Sequence, residues 1–408
     1  MTVNATPTSP LSTQEYIQLE DQYGAHNYHP LDLVIEHAEG SWVYDVEGKK
    51  YLDCLSSYSA LNQGHCHPRI LNTLKEQAEK VTLTSRAFRN NQLPLLYQAL
   101  HEISGLSRAL PMNSGAEACE TAIKMARKWG YKVKGIPENQ AEIIVFENNF
   151  HGRTISIISF STEAQYQDGF GPFTPGFKIV PYDDVEAVKK AINPNTCAVF
   201  MEPIQAEAGI LIPHAGYLKQ VAELCKQNNV LFIADEIQTG LGRTGKMFAF
   251  QHEGIQPDVI VVGKALSGGF YPVSAVMAND EVMGVFNPGD HGSTYGGNPL
   301  GCAVARTALD VIRDENLVER SATLGEKFLN QLKTIHSPHI KEIRGRGLLI
   351  GIELNTKARP FCEALKGEGV LCKETHDFVI RFAPPLVVSE ADLNWAFERI
   401  KKVIESFS

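Results

Sequence analysis

The chain has 408 residues of ordinary globular composition and a net charge of −9, with acids and bases interspersed. That length buries a sizeable core and suits one large domain plus a smaller one, while the mixed charge excludes an obvious nucleic-acid or anionic-membrane partner and favours small soluble substrates. Eight cysteines are scattered without a Cys-x-x-Cys pair, which points to free thiols in a reducing compartment, and no run reaches the roughly 18 apolar residues of a spanning helix.

The opening, Met1 to Gln14, is polar, contains Pro7 and Pro10, and has neither an apolar signal core nor an arginine, so a cytoplasmic location is expected. Thr13 to Asp21 reads as a helix and Gly24 to Pro30 as a polar-aromatic loop. Ser41 to Asp53 alternates on either side of Glu47-Gly48 and predicts a hairpin. Ser56 to Pro68 follows as an irregular stretch rich in hydrogen-bonding groups. Within it His65, Cys66 and His67 invite a zinc reading, but adjacent residues cannot all converge on one ion and no second ligand pair stands at useful spacing, so no metal is expected.

Pro68 to Val81 and Leu93 to Ile103 carry helical periodicity. Leu110 to Met112 is a short apolar run that leads through Ser114-Gly115-Ala116 into a strong helix former ending at Arg127. Backbone N–H groups at such a helix start, approached closely past a glycine, suit a phosphate. The plainer reading is an ordinary N-cap. Strands and helices then alternate: Glu142 to Phe146, Lys178 to Pro181, a helix over Asp184 to Ile192, Cys197 to Met201 and a helix over Gly216 to Asn228. This βα alternation predicts a mainly parallel sheet. Phe150-His-Gly-Arg153-Thr and Glu202 to Gly209 fall in loops at strand ends, where Phe150 is a ring able to stack on a cofactor, although phenylalanine is more often core.

Asn229 to Asp235 is another buried-strand run, ending in the acidic pair Asp235-Glu236. Val259 to Val262 is too short for a helix and rich in β-branched side chains, so it reads as a strand buried on both faces. Lys264 therefore stands at a strand's carboxyl end, the ligand side of an open α/β sheet, 29 residues after Asp235. Desolvation disfavours the charged lysine and leaves a nucleophilic amine suited to an aldehyde. A carboxylate on an adjoining strand end is suited to hold a pyridine nitrogen protonated, which is the pairing that pyridoxal phosphate chemistry requires. A solvated lysine and a capping aspartate are the plainer readings. Gly240-Leu-Gly-Arg-Thr-Gly245 spells a dinucleotide fingerprint, but Asp235 to Thr239 intervene after the strand and Met247-Phe-Ala-Phe opens a helix poorly, so no nicotinamide site is expected.

His291 to Pro299, with Ser293 and Thr294, offers hydroxyls and bare backbone of the kind a phosphate takes. Helices over Leu300 to Asp314 and Asn316 to His336 follow, then a glycine-punctuated strand over Ile343 to Leu354. Pro360 to Lys366, Phe378 to Phe382 and Glu390 to Ser406 complete a compact α+β unit. The organisation expected is a large domain over residues 56–295, a small domain over 296–408, and residues 1–55 packing with the small one.

As a set, Ser114-Gly-Ala-Glu-Ala118, Phe150-His-Gly-Arg-Thr154, Asp235-Glu-Ile-Gln238 and Lys264 resemble the motifs of the class III, fold-type I pyridoxal phosphate aminotransferases, and the likeness spans nearly the whole chain. Gly24 to Pro30 and Ser57 to His65 look like members that act on ornithine rather than acetylornithine, with His151 where some of those have tryptophan. The resemblance implies an α/β fold: a large domain with a mainly parallel central sheet, and a smaller α+β domain formed by the C-terminal part and the N-terminal segment. It implies pyridoxal 5'-phosphate, with Lys264 as the lysine that bonds its aldehyde and moves protons, Asp235 on the pyridine nitrogen, Phe150 as the stacking ring and Gln238 on the ring hydroxyl. Ser114, Gly115 and Ala116 would hold the phosphate, joined by Ser293 and Thr294 from the second subunit of a homodimer. The implied substrates are L-ornithine and 2-oxoglutarate, with acetylornithine or 4-aminobutyrate as alternative amine donors. Tyr28, Tyr58 and Arg153 would bind the substrate, and Arg381 would be masked by Glu207 for ornithine and released for the keto acid. On the residues alone, Glu207 and Arg381 read as members of a surface ion pair.

Overall fold

The computed structural model describes residues 11–407; the polar stretch at 1–10 lies outside the described residues. Three N-terminal strands, β1 (Ile35–Glu39), β2 (Trp42–Asp45) and β3 (Lys50–Asp53), form an antiparallel ladder, of which the sequence pattern announced only the last two.

The central sheet has seven strands: β4 (Arg108–Met112), β5 (Glu142–Phe146), β6 (Phe177–Val180), β7 (Thr196–Met201), β8 (Leu231–Asp235), β9 (Val259–Val262) and β10 (Ser274–Ala278). Their spatial order is β4-β10-β9-β8-β7-β5-β6. The pairs from β9 across to β6 are parallel, as the βα alternation predicts, while β10 runs antiparallel to both β9 and β4. Every residue of β7, β8, β9 and β10 is buried, because helices cover both faces. Within β9 the pleat divides the layers: Val259 and Val261 pack with the Gly115–Trp129 helix, and Ile260 and Val262 with the Leu93–Ser104 and Pro299–Asp314 helices. β8 and β9 pair with Asp235 opposite Val261. Both strands therefore leave the sheet at the same edge, which brings Asp235 and Lys264 to one place.

The remaining strands are β11 (Ile340–Arg346), β12 (Leu349–Leu354), β13 (Val370–Leu371), β14 (Lys373–Thr375) and β15 (Val379–Phe382). Four of them form the sheet β11-β12-β15-β14, and β13 pairs in parallel with β3. The single strand expected over Ile343 to Leu354 is instead a hairpin, β11 and β12, which turns at Gly347 with φ +53°. The stretch after β3 is also more ordered than its sequence suggests. Ser56, Ser57, Tyr58 and Ser59 all have positive φ, between 45° and 72°, and form a left-handed turn.

Candidate active site

At the carboxyl edge of the central sheet lies a cavity of about 180 Å³ whose lining includes Lys264, Asp235, Phe150, Gln238, Gly115 and Ala116. β9 ends at Val262, and an extended Gly263 hands over to Lys264, whose own φ is +45°. A left-handed backbone at a lysine costs about 1–2 kcal/mol, and such strain persists where surrounding structure over-determines it. Burial pulls the Lys264 ammonium down to about 8, with Arg381 adding to the shift and Glu207 and Asp235 opposing it.

Asp235 closes β8 and is buried. Its Oδ1 accepts from the Ile237 N–H at 3.0 Å, and its Oδ2 lies 2.6 Å from His151 Nδ1 and 3.5 Å from the Cys119 Sγ. The carboxylate can only accept, so His151 Nδ1 carries the proton in this bond. The His151 ring stacks on Phe200 at 4.1 Å between centroids, and its Nε2 is sealed without a partner. Cys119, His151 and Asp235 place ligand-type atoms within 4.8 Å of one another. Burial, then the neighbouring Asp235, pushes the Cys119 thiol well up, so it serves as a weak donor to the carboxylate rather than as a thiolate ligand. His65 and His67, the other metal-like group, bond separate carboxylates, those of Asp53 and Glu315.

Ser114 caps the Gly115–Trp129 helix through a capping box with Glu117, which takes up the Ser114 hydroxyl and the N–H groups of Ser114 and Glu117. The N–H groups of Gly115 and Ala116 stand in the same first turn, at the positive end of the helix and on the cavity wall. Phe150 also lines the cavity, and its N–H donates to Glu202 Oε2 at 3.0 Å. Glu202 is buried in the same wall, and burial, reinforced by Asp235, holds its carboxyl well above the usual range. An anion-binding helix start, a flat aromatic ring, a buried carboxylate and a desolvated amine match the four distinctive parts of pyridoxal phosphate: phosphate, ring face, pyridine nitrogen and aldehyde.

Arg381, on β15, is 1% exposed and donates from Nη1 to Glu207 Oε1 at 3.0 Å. The surface-pair reading of these two residues fails, because β15 lies inside the molecule and carries the guanidinium with it. Gln238 closes the group: its Oε1 accepts from Arg381 Nη2 at 2.9 Å and its Nε2 donates to Glu207 Oε1 at 3.1 Å. The Gln238 amide thus bridges the ion pair and the Lys264 cavity that it lines. Burial opposes the Glu207 charge, but Arg381, Lys264 and Gln238 outweigh it and hold the carboxyl below its usual range.

Tyr28, Tyr58, Arg153 and Glu207 line a second, outer cavity of about 590 Å³, and Phe150 belongs to both cavities. The Arg153 guanidinium lies 4.3 Å from the Tyr166 ring centroid. Ser293 and Thr294 line neither cavity. Ser293 Oγ instead accepts from Asn113 Nδ2 at 2.7 Å, and Thr294 is exposed. Sequence reasoning gave no role to His151 or Glu202; the signal available was their place in the same strand-end loops as Phe150 and Glu207.

A match to the family described as aminotransferase class-III covers residues 23–404. The ornithine aminotransferase of Brevibacillus brevis is 62% identical over 392 residues, 96% of this chain and 98% of that one. Among solved structures, the ornithine aminotransferase of Toxoplasma gondii, with pyridoxal phosphate at partial occupancy in its active site, superposes with a TM-score of 0.95 at 46% identity, covering 96% of this chain and 94% of that one. The acetylornithine aminotransferase of Elizabethkingia anophelis superposes with a TM-score of 0.90 at 53% identity, covering 97% and 99%. Motifs, sheet-edge geometry and near-complete matches agree: the chain belongs to the class-III aminotransferases.

Proposed function

We propose that this chain transfers the δ-amino group of L-ornithine to 2-oxoglutarate through pyridoxal phosphate, giving glutamate and glutamate 5-semialdehyde, which cyclises to pyrroline-5-carboxylate. The observation that carries this reading is the ion pair between buried Arg381 and half-buried Glu207, which Gln238 ties to the Lys264 cavity. Ornithine presents methylenes next to its reacting carbon, whereas 2-oxoglutarate presents a carboxylate. An unpaired buried arginine repels the first and binds the second, so one site can serve both substrates only if the arginine is masked and unmasked. Glu207, ionised and hydrogen-bonded, is the mask.

When bound, pyridoxal phosphate supplies an aldehyde that takes the amino group and a protonated ring that receives the electrons of the broken C–H bond. The protein's own residues do the rest. Lys264 Nζ, lowered to about 8, would bond the aldehyde when neutral and, once displaced by the substrate amine, would carry the proton from the δ-carbon to the cofactor. Asp235, fixed by His151, keeps the pyridine nitrogen protonated, and Phe150 covers a ring face. Gly115 and Ala116 hold the phosphate, with Ser114 shaping the turn. Arg153, Tyr28 and Tyr58 take the remote end of ornithine. In this reading Ser293 and Thr294 complete the phosphate site of a second copy in a homodimer, the domain boundaries fall near residues 55 and 295, and the setting is the cytoplasm. No helix among the described residues is long and apolar enough to cross a membrane.

The test follows each half-reaction separately by stopped-flow absorbance of the cofactor. Glu207→Ala should slow ornithine by about 10- to 100-fold while glutamate reacts as well or better, the loss expected for an unmasked buried charge. Equal losses with both substrates would remove the switch from this pair. The likeness to an acetylornithine enzyme favours one rival, and wild-type turnover of acetylornithine above ornithine would decide for it.

A further inference from the structure

The Gly240–Gly245 motif takes no part in the function proposed above, yet its arginine is, with Arg381, the largest fully buried side chain among the described residues. Its glycines serve close packing. Gly242 has φ +92° and a Cβ there would meet Leu386 Cδ1 at 3.1 Å; Gly245 has φ +83° and a Cβ would lie 2.9 Å from the Ala322 Cα. The loop is thereby pressed against the Leu317–Leu332 helix and the segment after β15, and Arg243 points inward between them.

The Arg243 guanidinium reaches four acceptors on three segments. Nη1 donates to the Leu348 carbonyl at 2.9 Å and the Pro384 carbonyl at 2.6 Å. Nη2 donates to Asn62 Oδ1 at 2.6 Å and Ser56 Oγ at 3.2 Å, and Nε to Asn62 Oδ1 at 3.2 Å. Asn62 Nδ2 returns to the Leu241 carbonyl at 2.9 Å, and the Ser56 hydroxyl donates onward to the Ala383 carbonyl at 2.5 Å. Ser56 opens the left-handed turn Ser56–Ser59, and Asn62 follows it. Four successive left-handed residues, none of them glycine, are strained, and such a turn survives only where its surroundings fix it. Its far end carries function: Arg381 Nη2 donates to Ser59 Oγ at 3.4 Å, and the Arg381 guanidinium lies 5.6 Å from the Tyr58 ring centroid.

Resting on the ornithine reading above, we propose that Arg243 is a positioning residue for the substrate switch: it holds the strained Ser56–Ser59 turn in place, and through that turn the Ser59 hydroxyl and Tyr58 ring against Arg381. Only arginine offers five donors in a planar fork, so a lysine cannot span these acceptors. No carboxylate pairs with Arg243 among the described residues; burial, then Arg381, draws its guanidinium down to about 9. A buried cation held this way is costly and is better explained by geometry than by stability. While Glu207 masks Arg381, three groups hold the arginine: Glu207, Gln238 and Ser59. Once Glu207 leaves, only Gln238 and Ser59 remain, so the half-reaction that uses bare Arg381 depends more heavily on the turn.

The experiment uses the loaded full-length protein and two variants, Arg243→Lys and the milder Ser56→Ala, which removes the guanidinium's direct bond to the turn and leaves those to Asn62. Single-turnover rates with ornithine and with glutamate are compared, and amide hydrogen exchange is read over residues 55–62. In Ser56→Ala the glutamate half should fall about ten-fold more than the ornithine half, and exchange in the turn should quicken about ten-fold. Equal losses in the two halves, or an unchanged ratio, overturn the proposal, as does unchanged exchange in the turn. If Arg243→Lys fails to fold, Ser56→Ala alone decides. Wild-type protein that does not react with ornithine would strike the functional reading instead, and the exchange measurement would still show whether Arg243 holds the turn.

Discussion

Lys264, drawn down to about 8 by burial, holds roughly 300 times more neutral amine at pH 7 than an ordinary lysine, and only the neutral amine attacks an aldehyde. The sign follows directly: the rate at which cofactor-free protein takes up pyridoxal phosphate covalently should rise about ten-fold per pH unit up to about 8 and level off above it. Stopped-flow absorbance measures this, and a rise continuing to the ordinary lysine value of about 10.4 would show that the cavity does not desolvate the amine. His151 permits a second residue-scale test. Its ring stacks on Phe200 while its Nδ1–H donates to Asp235. His151→Phe keeps the stacking and loses the donor, so both half-reactions should slow by about 10-fold and to the same extent, since each draws on the pyridine nitrogen that Asp235 serves. A change in the ornithine-to-glutamate ratio in this variant would mean that His151 acts on substrate choice instead.

Helices and strands in this molecule touch where side chains are missing, and Gly325 is the closest such place. It lies on the Leu317–Leu332 helix, where an added Cβ would fall 2.1 Å from the carbonyl carbon of Gly347 at the β11–β12 turn. Gly325→Ala should therefore force helix and hairpin apart and cost about 2–3 kcal/mol in urea unfolding. Gly367→Ala is the control, because it ends the Arg359–Gly367 helix with nothing within 4 Å of its Cβ position, and it should be neutral or slightly stabilising. Unchanged stability in Gly325→Ala would mean that the helix can move away freely. These two glycines also mark what sequence can convey. β9 was legible at its true bounds because burial on both faces leaves a purely apolar, β-branched run, and the Asp235–Lys264 pairing followed from two such runs. β10, with serine, alanine and methionine, carries no comparable pattern, and its place depends on the neighbours it pairs with. The left-handed Ser56–Ser59 turn was invisible because serine and tyrosine do not signal positive φ; long-range bonds impose it. Gln238 was legible as a cavity residue, but its grip on Glu207 and Arg381 joins three distant segments and has no local signature.

For the whole molecule, Ser293 and Thr294 separate two ways of building the site. They line neither cavity of their own chain, although the resemblance gives them to a phosphate. The homodimer proposed above, in which a second copy lends Ser293 and Thr294, would account for this. Two defective chains should then repair each other. Lys264→Ala lacks the reacting amine but keeps the lent hydroxyls, and the double variant Ser293→Ala, Thr294→Ala keeps the amine but lacks the hydroxyls its partner needs. In a mixed dimer the amine of one chain meets the hydroxyls of the other, giving one intact site in two. Random assembly of equal amounts makes half the dimers mixed, so at limiting pyridoxal phosphate the mixture should recover about a quarter of wild-type activity while each variant alone stays well below that. If the hydroxyls serve their own chain, a mixed dimer holds no intact site, and the mixture shows only the average of its two parents.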